Sequence, residues 1–256
     1  MVEMKCFFTC FVFIFGCVFG SFFNVVGWRL PAGLSLVKPG SFCPKCRHKL
    51  KWYENIPIVS FLIQGGKCRG CKCKIPKFYI IIEILTGILY ALAYWFFGFS
   101  FEFVLAVLTI SFFVIVIVSD SNYLVIPDEV TVFFSICVIL SRLFINGLND
   151  GFKYLIYGAV AFFVMYGLML LGNFIFKKES LGGGDIKLMF FVGCAVGPWM
   201  SLFTIFLSSF IALPLSLILY AKSKDSVIPY GPFLLIACLI IVLFQIDIDM
   251  ILRIGM

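Results

Sequence analysis

Phe112-Phe113-Val114-Ile115-Val116-Ile117-Val118-Ser119-Asp120 decides the fold. A helix through these residues is apolar on every side until it meets Ser119 and a carboxylate. Such a segment belongs inside a large core or in lipid, not on a soluble surface. The whole chain repeats the pattern: of 256 residues, 62% are hydrophobic and 13% are charged, with 33 Phe. Soluble domains carry roughly 45–50% apolar and about 25% charged residues, so an ordinary globular protein is excluded. The mean hydropathy of +1.12 agrees.

Working outward from that run, Gly, Pro and charge punctuate apolar spans at 6–28, 78–97, 101–119, 130–146, 154–176, 186–197, 199–221 and 231–246. The expected fold is an all-α polytopic membrane protein with about eight transmembrane helices, seven if Gly197-Pro198 only kinks one element. Residues 1–28 form the first helix and 29–77 a polar loop domain, while 78–256 form the membrane core. The first span lacks a strongly basic start and runs on into Gly27-Trp28-Arg29, unlike a cleaved signal. Lys and Arg favour the cytoplasmic side of short loops. Eleven of the 20 basic residues lie between Arg29 and Lys77; with Lys177, Lys178, Lys187, Lys222 and Lys224, sixteen share one side. Only Lys5, Arg142, Lys153 and Arg253 fall on the other, so the loop is expected in the cytoplasm and both termini outside. The net charge of +7 then reports membrane orientation rather than nucleic acid.

Six of the 11 cysteines (Cys6, Cys10, Cys17, Cys137, Cys194 and Cys238) sit in apolar spans and are expected to be small buried hydrophobes. The other five crowd the loop. Cys43-Pro44-Lys45-Cys46 and Cys68-Arg69-Gly70-Cys71 have the spacing of two zinc knuckles, with four thiolates around one structural Zn²⁺. Redox-active or disulfide-bonded pairs are the alternative, which a reducing cytoplasm disfavours. Cys73 is a spare thiol on this reading, and His48 a surface residue of its knuckle.

Acids within lipid are costly and mark functional sites. Asp120 and Asp185 both fall at the expected cytoplasmic ends of their helices; Glu83 and Glu102 are the other membrane acids. Two carboxylates that meet share one proton, so one can activate water while the other protonates a leaving group. Gly182-Gly183-Gly184 before Asp185 permit positive φ and close backbone approach by an extended substrate. The competing reading makes Asp185 a helix cap and Asp120 a span boundary. The single histidine, His48, lies in the loop, so no H-E-x-x-H metalloprotease or intramembrane Ser–His dyad is possible. Aspartyl chemistry remains among the intramembrane hydrolases.

At these residues the chain resembles the bacterial type IV prepilin peptidases, the bifunctional leader peptidase/N-methyltransferases. The resemblance runs through Gly20-Ser21-Phe22-Phe23-Asn24, Arg29-Leu30-Pro31, both C-x-x-C pairs, Trp52-Tyr53-Glu54-Asn55-Ile56-Pro57 and Glu83. It continues in Asp120, Ile126-Pro127-Asp128 and the G-x-G-D element ending at Asp185, followed by Lys187-Leu188. It implies a multi-pass enzyme of the bacterial inner membrane, with its active site facing the cytoplasm. The implied activity removes the short basic leader of prepilins or pseudopilins after glycine, then methylates the new N-terminal residue, usually Phe, using S-adenosylmethionine. It also implies Asp120 and Asp185 as the catalytic pair, with Gly182, Gly183, Gly184 and Asp128 beside the substrate. Structural zinc on Cys43, Cys46, Cys68 and Cys71 follows as well. Methyl-donor contacts are assigned to Gly20, Asn24, Arg29, Glu54 and Asn55; no dinucleotide-type glycine motif supports that half independently. The alternatives are a leader peptidase without methylation, and a membrane transporter or assembly scaffold whose zinc loop docks a partner.

Overall fold

The computed structural model describes residues 2–177, 182–222, 230–248, 250 and 253. Among the orientation charges, Lys178 and Lys224 lie outside the described residues. The chain divides into two compact units, Met1–Gly98 and Phe99–Met256. The division falls one helix beyond the 77/78 boundary expected from sequence.

The first unit contains α1 (Val2–Arg29), α2 (Val59–Ile63) and α3 (Lys77–Phe97). Small residues let α1 and α3 approach closely, the device that membrane helices use in place of a hydrophobic driving force. A Cβ on Gly16 would lie 2.8 Å from Gly87 Cα, and one on Gly20 would lie 2.8 Å from Thr86 Oγ1. The opposite face of α1 presents Phe7, Phe11, Ile14, Val18 and Phe22, all exposed in the isolated chain and suited to lipid. Cys6 and Cys10 are exposed as well, whereas Cys17 is buried. The expectation of burial thus fails at Cys6 and Cys10, because periodicity does not reveal which face of an all-apolar helix meets protein. After α1, the Arg29 guanidinium donates to the carbonyls of Ser35 (3.1 Å), Pro39 (2.8 Å) and Gly40 (3.1 Å), folding the polar segment back on the helix end.

The second unit contains α4 (Phe101–Tyr123), α5 (Asp128–Gly151), α6 (Lys153–Phe176), α7 (Gly183–Val196), α8 (Pro198–Lys222) and α9 (Gly231–Phe244). Local chemistry sets their ends. Ser100 caps α4 by accepting from Phe103 N–H at 3.2 Å, and Leu124 stops it in the left-handed region at φ 53°. Gly197, at φ 86°, ends α7 immediately before Pro198 opens α8. Within α5, Gly147 leaves the helical region (φ 80°, ψ 168°), close to where the apolar run ends in the sequence.

The 112–120 run becomes the centre of this unit: Phe112, Val114 and Val116, with Ile110 just before them, have no exposed surface. Phe112 packs against Phe134 of α5 (5.5 Å between ring centroids) and Phe191 of α7 (4.3 Å). Among the described residues, eight apolar helices stand where eight spans were expected. Six of them, α1, α3, α4, α5, α6 and α8, have the length and hydropathy to cross a bilayer. The others, α7 and α9, have 14 residues each, about 21 Å of helix against a hydrocarbon core of about 30 Å. Both are held among longer neighbours: Leu188, Met189 and Phe191 of α7, and Leu234 and Leu235 of α9, are fully buried.

Candidate active site and metal centre

In the second unit, Asp120 occupies the last turn of α4 and is 6% exposed. Its carbonyl accepts the Leu124 N–H at 3.0 Å, closing the helix, so the carboxylate is held by a capped end. Asp185 lies in the first turn of α7, and its N–H donates to the Gly182 carbonyl at 3.1 Å. The helices that carry them are in contact, Phe112 of α4 and Phe191 of α7 lying 4.3 Å apart between ring centroids. Two aspartates 65 positions apart in sequence thus stand on helices that pack together in one unit.

The glycines serve space rather than unusual torsions. Gly182 is extended, at φ −71° and ψ 141°, and Gly183 and Gly184 belong to the first turn of α7. The positive-φ reason given from sequence is not what this backbone uses. A Cβ on Gly184 would lie 3.0 Å from Ile126 Cδ1, while Gly183 faces open space. Sequence reading missed Gly231, at the start of α9. A Cβ there would meet Leu188 at 3.0 Å, Ile126 at 3.1 Å and Asp185 Oδ1 at 3.3 Å. The Tyr230-Gly231-Pro232 step was the available signal.

Asp128 opens α5 and forms an ion pair with Lys187 of α7, Nζ reaching both carboxylate oxygens at 2.7 Å. It ties α5 to α7 one turn from Asp185. Sequence reading also missed Arg142, counted only as an outer-side charge. Its guanidinium donates to the Ala195 carbonyl at the far end of α7 and lies 4.6 Å over the Tyr154 ring. That end of the helix carries the negative pole of its dipole, so a half-buried cation there holds α7 by charge as well as by hydrogen bond.

In the first unit, the two C-x-x-C pairs form matching turns. The N–H of Cys43 donates to the His48 carbonyl at 2.9 Å, and that of Cys68 to the Cys73 carbonyl at 2.9 Å. Arg47 and Lys72 hold corresponding left-handed positions, each at φ 58°. Isolated bridges at Phe42–Lys49 and Lys67–Lys74 close the two turns. The Sγ atoms of Cys43, Cys46, Cys68 and Cys71 lie within 4.8 Å of one another. The edges Cys43–Cys71 and Cys46–Cys68 both measure 3.9 Å. Tetrahedral Zn–S bonds of about 2.3 Å require sulfurs about 3.8 Å apart, so this donor set fits zinc. The N–H of Cys46 leads in drawing Cys43 down to about 6, and that of Cys73 lowers Cys71; Cys46, despite the His48 N–H, is pushed up to about 11 by burial and the neighbouring thiols.

The five residues assigned to a methyl donor are not equivalent. Gly20 is packed against α3 and Arg29 is committed to three loop carbonyls. Asn55 is exposed. Asn24 donates to the Tyr79 carbonyl at 3.3 Å, but its Oδ1 is buried with no hydrogen-bond partner among the described residues. Glu54 accepts from Lys51 N–H at 2.8 Å and pairs with His48 at 3.3 Å; its Oε1, 3.6 Å from Arg69 Nε, is buried without a hydrogen bond among the described residues. The Lys51 N–H first, then His48 and Arg69, hold its carboxyl below the ordinary carboxylate range. Glu83 accepts the Ile58 N–H at 2.8 Å. Ile58 sits at φ 61° and ψ −54°, a costly conformation for a β-branched residue, which this carboxylate fixes to α3.

Residues 14–97 match the bacterial peptidase A24 N-terminal domain, and residues 107–217 match the type IV leader peptidase family. A prepilin leader peptidase/N-methyltransferase of Bacillus subtilis is 39% identical over 186 residues, covering 73% of each chain. One of Pseudomonas aeruginosa is 31% identical over 252 residues, covering 88% of this chain and 86% of its own. A type 4 prepilin-like proteins leader peptide-processing enzyme of Escherichia coli is 30% identical over 241 residues, covering 86% and 87%. No solved structure matches the chain. With both halves matched in order and the two aspartates in one unit, the chain belongs to the type IV leader peptidase family.

Proposed function

We propose that this protein is an aspartic endopeptidase of the bacterial cytoplasmic membrane that removes the leader of prepilins or pseudopilins and methylates the new N-terminus. The observation that carries the reading is the placement of Asp120 and Asp185 in the end turns of two helices that pack together through Phe112 and Phe191. One carboxylate, ionised, takes a proton from water as the oxygen attacks the scissile carbonyl carbon. The other, protonated, gives its proton to the leaving amide nitrogen as the C–N bond breaks. The products are a new carboxylate and a free amine, and proton exchange with water restores the pair. Among the described residues nothing lies within 4 Å of a Cβ on Gly183, which leaves room for an extended backbone beside Asp185. The Asp128–Lys187 pair keeps α5 and α7 in register there. The basic surplus of residues 29–77 supports a cytoplasmic face for this site.

Zinc on Cys43, Cys46, Cys68 and Cys71 would close the two knuckles with no open position, giving it a structural role. For the methyl donor, two buried acceptors that lack a hydrogen bond among the described residues, Asn24 Oδ1 and Glu54 Oε1 (the latter 3.6 Å from Arg69 Nε), fit a ligand bearing an ammonium and ribose hydroxyls. S-adenosylmethionine supplies an electrophilic methyl group, and these acceptors would bind and orient its donors. Co-expression with a prepilin tests the reading: mass spectrometry of the pilin gives the cleavage position and the N-methyl group together. Cleavage without the methyl mass would leave the peptidase and remove the transferase.

A further inference from the structure

The cytoplasmic cluster holds five thiols, one more than a tetrahedral metal needs. The fifth, Cys73, has its Sγ 3.7 Å from Cys43 Sγ, closer than the 3.9 Å edges among the other four. Its position follows from the repeated turn. Counting from the first cysteine of each pair, His48 and Cys73 occupy the same place, the residue whose carbonyl accepts the first cysteine's N–H. In both turns that place faces the opposite knuckle. His48 lies against Gly70, whose Cβ would be 3.2 Å from His48 Cβ, and Cys73 lies against Cys43. His48 is engaged with Glu54 at 3.3 Å, so its side of the cluster supplies no fifth ligand.

We propose that Cys71 and Cys73 are interchangeable ligands for one coordination position of a zinc site whose other three thiolates, Cys43, Cys46 and Cys68, are fixed. Either sulfur lies within a tetrahedral edge of Cys43, and exchange between them needs only local movement after the Lys72 turn. The second knuckle thus has two ways to hold the metal, whereas the first has one. This inference rests on the reading of the cluster as a zinc site.

The test uses the full-length protein in detergent, with zinc per chain measured by elemental analysis and affinity by competition with a chromophoric chelator. Cobalt-substituted protein gives the number of thiolates through its sulfur-to-metal charge-transfer intensity. Cys71→Ser and Cys73→Ser are each expected to hold one zinc with a four-thiolate cobalt spectrum. Cys71→Ser/Cys73→Ser and Cys68→Ser are expected to bind about 10²- to 10³-fold more weakly, the share of a four-ligand zinc affinity carried by one thiolate. Wild-type protein without zinc would overturn both the metal reading and this inference. Wild-type protein with zinc, but Cys71→Ser as weak as the double variant, would overturn the inference alone. Retained metal in Cys71→Ser with a three-thiolate spectrum would also overturn it, since another group would then fill the position.

Discussion

The contact between α6 and α7 offers a way to move Asp185 without touching it. Gly193 of α7 faces Gly158 of α6, and a Cβ at Gly193 would lie 2.6 Å from Tyr157 O, 2.8 Å from Ala161 Cβ and 2.8 Å from Gly158 Cα. Carbon atoms in contact sit about 3.5–4.0 Å apart, so Gly193→Ala forces the two helices apart by roughly 1 Å. Overpacking of this size costs about 1–3 kcal/mol of stability. Because α7 is a buried rod, the displacement passes about 12 Å along its axis to Asp185. A 1 Å misplacement of a reacting group costs about 10² in rate. Gly193→Ala should therefore insert, retain its metal content and lose about 100-fold in kcat for leader cleavage, with KM changed less. Gly167→Ala is the control, since a Cβ there meets nothing within 4 Å. Measured on a purified prepilin in detergent, wild-type kcat for Gly193→Ala would refute this account of how α7 is held.

Three other outcomes follow from the same geometry. At Gly231, replacement by Ala crowds Asp185 Oδ1 at 3.3 Å; cleavage should fall at least 10-fold with thermal stability nearly unchanged, and equal losses of both would argue against a local effect. Arg142→Met removes the donor to the Ala195 carbonyl and the cation over Tyr154. It should destabilise the second unit by about 1–3 kcal/mol, seen as a lower unfolding midpoint, and an unchanged midpoint would count against the staple. The folded pKa of Glu54 is depressed, so its stabilising contribution is present above the ordinary carboxylate range and is lost as pH falls through the folded value. The stability difference between wild type and Glu54→Gln, read by limited proteolysis of the loop, should be constant at neutral pH and close towards acid. A difference that grows on acidification would contradict that sign.

Much of the architecture is legible in the sequence because lipid imposes one rule, that backbone polar groups be satisfied inside long apolar helices. Each span from Phe7 to Phe244 leaves that mark. The shortness of α7 and α9 is less legible, since an apolar run does not say whether lipid or protein surrounds it. The knuckles could be read from spacing alone, as two cysteines three apart fit one turn. The place of Cys73 could not, because it depends on the second turn repeating the first in space. Arg142 shows the same limit: one cation in an apolar run looks like a loop charge until its carbonyl partner, 53 residues away, is known. Gly158 and Gly193 carry no local signal either, their role being a contact between helices.

The central claim is that Asp120 and Asp185 act as one catalytic pair. Its most direct measurement is intact-mass analysis of a prepilin co-expressed with Asp120→Asn or Asp185→Asn protein, membrane insertion being checked in parallel. The account predicts full-length, leader-bearing prepilin with either inserted variant, and mature pilin cut at a single position with wild type. Mature pilin produced at the wild-type level by either variant would contradict it.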